Sequence, residues 1–455
     1  MTFSAIDPAT GELLSTHPDT PADTVRDIVE RAHAAHFLWR DTSFAKRAEP
    51  LRALSRLLRE RKGEYGALMT AEMGKPIGQA VGEAEKCALV GEYYADNAER
   101  FLSPVPVDTD ASTSYWTYRP LGVVLGIMPW NFPFWQVIRW ATPTLAAGNA
   151  ALLKHAPSVP GCALALEKLY KDAGFPPDLF RNLFIDTETA GELIDDPFIQ
   201  GVSLTGSIRA GKAVGARAGG AIKKCVLELG GSDPSVVLAD ADLDAAVAAC
   251  AYGRLQNSGQ SCIAAKRFVV VDEVAEAFTE KIVARMAAAV VGDPTDEKTE
   301  VGPLARQDLR DTLHRQVERS VEAGATLALG GVVPDGPGAW YPATVLTDVG
   351  PGMPAYEEEL FGPVATVIRA RDEADAIRIA NDTHFGLGAA IYTGDVRRGE
   401  RIAADLLEAG ACFVNGIVKS DPRLPFGGIR ESGYGRELSP VGIREFTNVK
   451  TVWVK

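Results

Sequence analysis

The amino-acid sequence predicts an α/β protein with two parallel-sheet domains, and its length and two stretches of strand–helix alternation indicate this. A chain of 455 residues is long enough for about three domains. From Gly122, apolar runs such as GVVLGIM, AALLK, LFRNLFI, GVSLTG and CVLELGG alternate with segments of helical length. A second stretch, from Ser232 to Ile417, contains KRFVVVD, ATLALGG, GPVATVIRA and LGAAIYTG. Such alternation indicates βαβ units, whose sheets are covered by helices on both faces.

Other elements precede and follow these two stretches. ATGE, near the N-terminus, predicts a turn that joins two short strands. Helical periodicity then dominates as far as Leu102 and includes segments over Lys46–Arg61 and Ile77–Leu102. Polar and apolar residues alternate from Val105 to Arg119, which predicts an exposed β-ribbon, and again in the tail TNVKTVWVK, which predicts one more strand.

Composition excludes several classes of protein. A net charge of −13 argues against nucleic acid or an anionic membrane as a partner, because phosphate binding needs a basic surface. No apolar run approaches the ~18 residues that span a bilayer. The N-terminus has no signal-peptide pattern, and the six cysteines are scattered, so we expect a cytoplasmic protein without disulfides. No CxxC or HExxH spacing occurs, and we expect no metal site.

Cys262 is the candidate nucleophile. It lies in LQNSGQSCIAAKR, where the small and polar neighbours leave the sulfur accessible. Cysteine attacks carbon as its thiolate, and a separate carboxylate, such as Glu228 in LELGG, can act as a general base on water. A nucleophile with a separate base is typical of covalent catalysis through a thioester. Alone, such a cysteine is more often a small residue of the core.

Asn131 is the candidate oxyanion donor. It lies in PWNFP, where the two prolines fix the backbone on either side. A rigidly held asparagine offers an N–H group that can meet a developing oxyanion. The alternative for an isolated asparagine between prolines is a structural role in a turn.

Together, PWNFP, LELGG and GQSC resemble the aldehyde dehydrogenase family in order and spacing. The resemblance continues through LLKHAP, LTGS, EEELFGPV and PFGGIRESGYGRE and covers nearly the whole chain. It implies a Rossmann-like dinucleotide-binding domain (residues 1–104 and 121–228), a catalytic domain (229–418) and a small β oligomerisation arm (105–120 and 437–455). An isolated ribbon is marginally stable and its edges favour pairing, so we expect a homodimer or homotetramer.

LTGSIRAG predicts a strand end, a turn and the start of a helix, where backbone N–H groups attract phosphate. Its spacing is not GxGxxG, so the motif alone is equally compatible with an ordinary strand–helix turn. The resemblance assigns cofactor contacts more widely. The implied cofactor-binding residues are Trp130, Asn131, Lys154, His155, Ala156, Pro157, Ser158, Gly206, Ser207, Leu229, Glu359 and Phe361.

Residue 157 bears on the choice of cofactor. Many family members that prefer NAD carry a glutamate three residues after the lysine that matches Lys154, and its carboxylate would repel a 2′-phosphate. This chain has Pro157 followed by Ser158, so that repulsion is absent. Lys154 and the Ser158 hydroxyl are then candidates to bind the extra phosphate. We therefore expect NADP, with NAD as the alternative.

Arg139 is the candidate substrate-binding residue. It lies about 12 Å beyond Asn131 on the helix that PWNFP is expected to open. A guanidinium in an apolar channel needs an anionic partner, which a substrate carboxylate supplies if the protein does not. The succinate-semialdehyde branch of the family resembles this chain here and implies a second contact from Ser420. A structural salt bridge of Arg139 and other carboxylated or aliphatic aldehydes remain alternatives.

These residues predict an NAD(P)-dependent dehydrogenase that oxidises succinate semialdehyde. Cys262 attacks the aldehyde, Asn131 and the Cys262 N–H hold the oxyanion, hydride leaves for the cofactor, and Glu228 activates the hydrolytic water. A CoA-acylating relative would resolve the thioester with CoA, and a catalytically silent relative should have lost one of these three side chains. All three are present.

Overall fold

The computed structural model describes residues 2–455, which form four β-sheets and the helices packed on them. The α-helices are α1 Ala22–Trp39, α2 Phe44–Glu60, α3 Lys62–Met73, α4 Ile77–Leu102, α5 Trp135–Ala146, α6 Pro160–Asp172, α7 Thr187–Asp195, α8 Ile208–Gly220, α9 Leu243–Leu255, α10 Asp272–Ala287, α11 Gln307–Glu322, α12 Pro354–Glu357, α13 Glu373–Asn381, α14 Val396–Asp405 and α15 Ser439–Glu445. The strands are β1 Thr2–Ile6, β2 Leu13–Pro18, β3 Val105–Pro106, β4 Thr113–Pro120, β5 Val123–Met128, β6 Ala150–His155, β7 Phe180–Asn182, β8 Ile199–Thr205, β9 Lys224–Glu228, β10 Asp233–Val237, β11 Ala265–Val271, β12 Thr326–Leu329, β13 Thr344–Thr347, β14 Val364–Ala370, β15 Gly388–Tyr392, β16 Ala411–Val414, β17 Gly433–Tyr434 and β18 Thr447–Val454.

The first large sheet has the strand order β17-β9-β8-β5-β6-β7. Its strands are parallel except β17, which runs antiparallel to β9. The strand β6, between β5 and β7, is buried along its whole length, as expected for a parallel sheet covered by helices. From β5 the chain continues to β6 and β7 on one side of the sheet and then crosses to β8 and β9 on the other side. The strand order therefore reverses between the parallel neighbours β5 and β8.

The second large sheet has the order β12-β13-β14-β11-β10-β15-β16 and is parallel apart from β12. The two large sheets confirm the predicted α/β fold class. The strand LFRNLFI is shorter than predicted, because β7 is an edge strand that pairs only with β6, and only Phe180–Asn182 take part. The helix α3 lies within the region of helical periodicity that ends at Leu102, between the segments Lys46–Arg61 and Ile77–Leu102.

The N-terminal hairpin and the two alternating segments also form as predicted. β1 and β2 pair on either side of the ATGE turn, and α4 has the predicted bounds. β4 and β18 pair antiparallel along their full lengths, with β3 on the other side of β4, in a separate three-stranded sheet. The proposed domain boundaries remain predictions, and β17 returns to the first sheet from beyond the second. No helix within residues 2–455 has the length and apolar character needed to cross a membrane.

Candidate active site

The loops of the site lie where the strand order of the first sheet reverses, between β5 and β8. In open α/β sheets, a ligand crevice forms where neighbouring strands connect in opposite directions, at their carboxyl ends. Here the segment Pro129–Asn131 follows β5, and Gly206 and Ser207 follow β8. Ser207 begins α8, because its hydroxyl accepts a hydrogen bond from the Ala210 N–H at 3.3 Å. The predicted strand, turn and helix of LTGSIRAG is therefore confirmed.

Helix α5 is held against β5 by a glycine. A Cβ atom on Gly126 would lie 2.3 Å from the ring of Trp140, so only glycine lets this indole pack on the strand. The helix follows PWNFP directly and is buried throughout. This packing fixes the position of PWNFP, and with it Asn131, just before α5. It also places Arg139, on α5, in the interior.

The nucleophile loop is held by an unusual backbone and by a bridge of amides. Asn257, Ser258 and Gly259 all have positive φ, a costly conformation that clusters at functional sites. The Asn257 side-chain amide donates to the carbonyl oxygens of Asn131 at 2.7 Å and Gln260 at 3.0 Å. Asn131 in turn donates from Nδ2 to the Gln260 carbonyl at 3.1 Å. PWNFP and GQSC are thereby tied together, and one N–H of the Asn131 amide remains for another acceptor.

Cys262 lies between two cavities. The first, which we call the strand-end cavity, has a volume of about 240 Å³ and is lined by the loops after β5, β8 and β9. The second, the helix-face cavity, has a volume of about 410 Å³ and is lined by faces of α4 and α5 and by residues 417–420. Among residues 2–455, only Cys262 and Gln136 line both cavities, so Cys262 borders each of them.

The strand-end cavity gathers many of the predicted cofactor residues. Its lining includes Trp130, Asn131, Gly206, Ser207, Leu229, Glu359 and Phe361. The Glu359 carboxylate accepts a hydrogen bond from the Gly231 N–H at 3.1 Å and lies 3.3 Å from the Lys266 ammonium. The Trp130 and Phe361 rings meet edge to face, with centroids 5.9 Å apart. Helix N-terminus, flat rings and an acceptor carboxylate fit the phosphate, nicotinamide and ribose of a dinucleotide.

The LLKHAP segment lies outside this cavity. Lys154 and His155 are buried at the end of β6, and burial lowers the pKa of Lys154. His155 is fully engaged: its Nδ1 accepts from the Ala156 N–H, so Nε2 carries the hydrogen and donates to the Pro133 carbonyl, both at 2.9 Å. Burial also lowers its pKa to about 4. Both ring nitrogens of His155 are therefore engaged within the protein. If His155 contacts a cofactor as predicted, it can do so only through its backbone.

Pro157 and Ser158 follow at the surface. Pro157 is exposed, whereas the Ser158 hydroxyl is buried and has no hydrogen-bond partner within residues 2–455. Ser158 lines a separate cavity of about 320 Å³ together with Arg306 and Gln307. A hydroxyl without a partner could donate a hydrogen bond to a phosphate oxygen. The structure, however, does not place Ser158 in the strand-end cavity.

Glu228, the predicted base, is the last residue of β9 and is almost fully buried. Its side chain packs on Gly427, where an added Cβ atom would lie 2.5 Å from Oε1, and neither carboxylate oxygen has a hydrogen-bond partner within residues 2–455. Burial raises its pKa well above the ordinary value, and the nearby Glu437 adds to this, while Arg139 opposes it. Glu228 lines neither cavity, so the structure does not bring its carboxylate together with Cys262.

Arg139 and Ser420 both line the helix-face cavity, but the reasoning that gave Arg139 a substrate carboxylate needs correction. The protein itself supplies the anion: Arg139 Nε forms a buried ion pair with Glu437. Arg139 also donates to the Thr205 hydroxyl at 3.3 Å and lies 4.5 Å from the centroid of Phe426. Its charge is therefore already balanced, as in the alternative of a structural salt bridge.

Two cations influence the thiol. Burial raises the pKa of Cys262 to about 12, and the positive charges of Arg139 and Lys266 oppose that rise. Lys266 Nζ donates to the carbonyl oxygens of Ser261 and Cys262, both at 2.8 Å, and also faces Glu359. The resting nucleophile is thus a neutral thiol whose backbone is held by an ammonium group.

Three lining or supporting residues escaped the sequence analysis. Lys266 lies only four positions beyond Cys262, and a charge so close to a nucleophile was a usable signal. Gln136 and Lys86 sit on helix faces, and nothing in their local sequence distinguishes them from surface residues. Residues 2–455 contain no group of three histidine, cysteine or acidic side chains placed to bind a metal ion.

Comparison with known proteins agrees with this geometry. The model of the "Aldehyde dehydrogenase family" matches residues 1–452. Succinate semialdehyde dehydrogenase [NAD(P)+] of Escherichia coli is 49% identical over 99% of this chain and 97% of its own. Succinate-semialdehyde dehydrogenase [NADP(+)] of Mycobacterium leprae is 50% identical over the full length of both chains. A crystal structure of the Streptococcus pyogenes succinic semialdehyde dehydrogenase with NADP+ superposes with a TM-score of 0.97 at 36% identity, covering 99% of both chains. This chain belongs to the aldehyde dehydrogenase family.

Proposed function

We propose that this protein oxidises succinate semialdehyde to succinate with NADP, through a thioester on Cys262. The observation that carries the proposal is the place of Cys262 between two separate cavities. An aldehyde entering from the helix-face cavity and a cofactor entering from the strand-end cavity would meet at one sulfur atom. The names of the E. coli and M. leprae relatives support the choice of substrate and cofactor.

The Cys262 thiol gives its proton to solvent water, and Sγ bonds to the aldehyde carbon as the carbonyl π electrons move onto the aldehyde oxygen. The resulting oxyanion is held by the free N–H of the Asn131 amide and by the Cys262 backbone N–H. Because Asn131 is fixed through Gln260 and Asn257, its amide is in place before charge develops. Preorganised donors of this kind typically contribute about 10²–10³-fold to kcat.

The residues of the strand-end cavity hold the cofactor. Ser207 and the start of α8 would hold the pyrophosphate, while Glu359 and Phe361 would hold the nicotinamide ribose and ring. A nicotinamide bound there would supply the hydride acceptor that is needed to oxidise the Cys262-bound aldehyde to the thioester. Lys154, Pro157 and Ser158 are assigned to the adenosine ribose, and the absence of a carboxylate at 157 favours NADP, with NAD as the alternative.

Glu228 serves as the base for thioester hydrolysis after a change of rotamer. Against Gly427 it carries a raised pKa and no hydrogen bond that would hold it there. Turning towards the cavity rehydrates the carboxyl group, which lowers its pKa and lets it accept a proton from water.

The enzymatic test is a matrix of wild-type kcat/KM values. Succinate semialdehyde, glutarate semialdehyde and butanal are each assayed with NADP and with NAD, in the presence and absence of CoA. We expect succinate semialdehyde with NADP to give the highest value and CoA to have no effect. Formation of succinyl-CoA would favour a CoA-acylating enzyme, a higher value with butanal would overturn the substrate, and no turnover would favour a silent relative.

We also propose that the β3-β4-β18 sheet is an oligomerisation arm. It lies apart from both large sheets, and Trp116, Val449 and Trp453 are exposed on it. Removing residues 447–455 should yield monomers in size-exclusion chromatography with light scattering. An unchanged molar mass would assign the subunit contact to another surface. A cytoplasmic location is part of the same proposal, supported by six cysteines that are all free.

A further inference from the structure

The helix-face cavity contains a cation whose charge is not balanced. Four charged side chains line this cavity, namely Glu83, Lys86, Arg139 and Lys419. Glu83 is engaged, because Oε1 accepts from the N–H groups of Phe134 and Trp135, both at 2.9 Å, and Oε2 pairs with Lys75. Arg139 pairs with Glu437, and Lys419 is exposed. Lys86 is left.

Lys86 Nζ has a defined position without a carboxylate partner. It donates to the Ser420 hydroxyl at 2.9 Å and lies 4.0 Å from the ring centroid of Trp135. Within residues 2–455, no acidic side chain lies within ion-pair distance of it, and the neighbouring Asp421 is bound by Arg423 at 2.7 Å. A partly buried ammonium without an anion is costly, so a site of this kind favours an anionic ligand.

The helix beneath Lys86 leaves room for such a ligand. Gly78 and Gly82 lie on the same face of α4 as Lys86, each about one turn apart. An added Cβ atom on either glycine would meet nothing within 4 Å, so this part of the helix borders open space. Lys86 therefore lines the cavity next to a part that no side chain fills.

We infer that the Lys86 ammonium and the Ser420 hydroxyl together bind the carboxylate of the aldehyde substrate. The Ser420 oxygen accepts from Lys86, so its own hydrogen remains for a carboxylate oxygen, while Lys86 has further N–H donors for the other. Trp135 keeps the ammonium in place. The inference rests on the proposed function and adds Lys86 as the specificity-determining cation, since the charge of Arg139 is already taken by Glu437.

Ionisation of Lys86 gives an independent signature. Burial lowers its pKa to about 8, the charge of Arg139 adds to this, and Cys87, Glu83 and Asp421 oppose it. The ammonium form exists below that pKa and is lost as pH rises through it. The KM for a carboxylated aldehyde should therefore rise above a pH of about 8, whereas the KM for butanal should lack this limb.

The experiment compares the full-length variants Lys86→Met and Lys86→Arg with Lys62→Met, which changes an exposed lysine paired with Glu85. The readout is the ratio of kcat/KM for succinate semialdehyde to that for butanal. Charge-assisted bonds of this type predict a fall of about 10–100-fold in Lys86→Met. Lys86→Arg should keep most of the ratio and lose the alkaline limb, because a guanidinium stays charged. Lys62→Met should match the wild type.

The outcomes separate this inference from the proposed function. If the wild type does not favour carboxylated over neutral aldehydes, both the proposed function and the Lys86 site are refuted. If the wild type does favour them and Lys86→Met leaves the ratio unchanged, the proposed function stands and the Lys86 site is refuted. A loss of folding in Lys86→Met would show in its melting curve, and the alkaline limb missing from Lys86→Arg then decides the question alone. A limb that persists in Lys86→Arg refutes the inference.

Discussion

The two cavities beside Cys262 are built in different ways. The strand-end cavity is lined by loops that directly follow β5, β8 and β9, and its lining contains one charged side chain, Glu359. The helix-face cavity is lined by side chains from α4, α5 and residues 417–420, and four of them are charged. One cavity is thus formed where loops leave a sheet and has one charged side chain, while the other is formed where helices pack and has four.

This difference explains how each site can select its ligand. Backbone N–H groups and a helix N-terminus recognise a dinucleotide that many enzymes share, and they need little more than a fixed strand–turn–helix geometry. Side chains on helix faces can be exchanged without disturbing the sheet. In this chain two of those charges, Glu83 and Arg139, are paired with protein groups, and Lys419 is exposed, so we propose Lys86 as the charge that distinguishes substrates.

The largest expected effect is at the residue that both cavities share. Cys262→Ala should reduce aldehyde oxidation to the background rate, because no other nucleophile borders both cavities. NADP binding and the melting temperature should stay at their wild-type values. Cys412→Ala, at another partly buried free cysteine, is the control and should retain activity. Substantial turnover in Cys262→Ala, measured as NADPH formation, would disprove covalent catalysis.

A second prediction concerns the charges of the helix-face cavity. Arg139→Met leaves Glu437 buried without its partner, which should lower the free energy of unfolding by about 3–5 kcal/mol. Removing both charges in Arg139→Met/Glu437→Leu should restore most of that loss. The matched control is Arg217→Met, which breaks an exposed pair with Asp195 and should change the free energy of unfolding far less. Urea unfolding measures all three.

If Arg139→Met proves as stable as the wild type, the ion pair with Glu437 does not hold in solution. Arg139 would then be available to a substrate carboxylate, as the sequence first indicated. In that case the ratio of activities towards succinate semialdehyde and butanal should fall in Arg139→Met and not only in Lys86→Met.

The smallest of these effects is expected on the cofactor side. Pro157→Glu places a carboxylate at an exposed position beside the proposed adenosine ribose, where it would repel a 2′-phosphate. We expect the ratio of kcat/KM with NADP to that with NAD to fall about tenfold, which corresponds to about 1.4 kcal/mol. Pro177→Glu, at another exposed proline, should leave the ratio unchanged. An unchanged ratio in Pro157→Glu would mean that residue 157 does not face the ribose.

The two cavities also differ in how far the sequence predicts them. Gly206 and Ser207 could be placed because they directly follow an apolar strand and begin a helix, while Trp130 and Asn131 were placed at the cofactor by the resemblance of PWNFP to the family. Lys86 could not, because it reaches the site only through the packing of α4 against α5, and local sequence does not record that contact. The ion pair of Arg139 with Glu437 could not be predicted for the same reason, because the two residues lie 298 positions apart in the sequence.

The rotamer of Glu228 is a further limit of sequence reasoning. Its motif marks the residue, but whether the carboxylate faces Gly427 or the cavity depends on how burial shifts its pKa and on space that Gly427 leaves. The fold class and the bounds of α4 followed from periodicity, which is a property of neighbouring residues, whereas the pairing of β4 with β18 was implied by the family resemblance.

The central claim, a thioester on Cys262 that Glu228 resolves, is tested most directly by mass spectrometry of Glu228→Gln. Without the base, hydrolysis should slow while attack and hydride transfer proceed. After mixing with succinate semialdehyde and NADP, the account predicts a burst of NADPH close to one equivalent and a succinyl group on the peptide that contains Cys262. NADPH formation with an unmodified Cys262 peptide, or a burst and steady rate lost together, would contradict it.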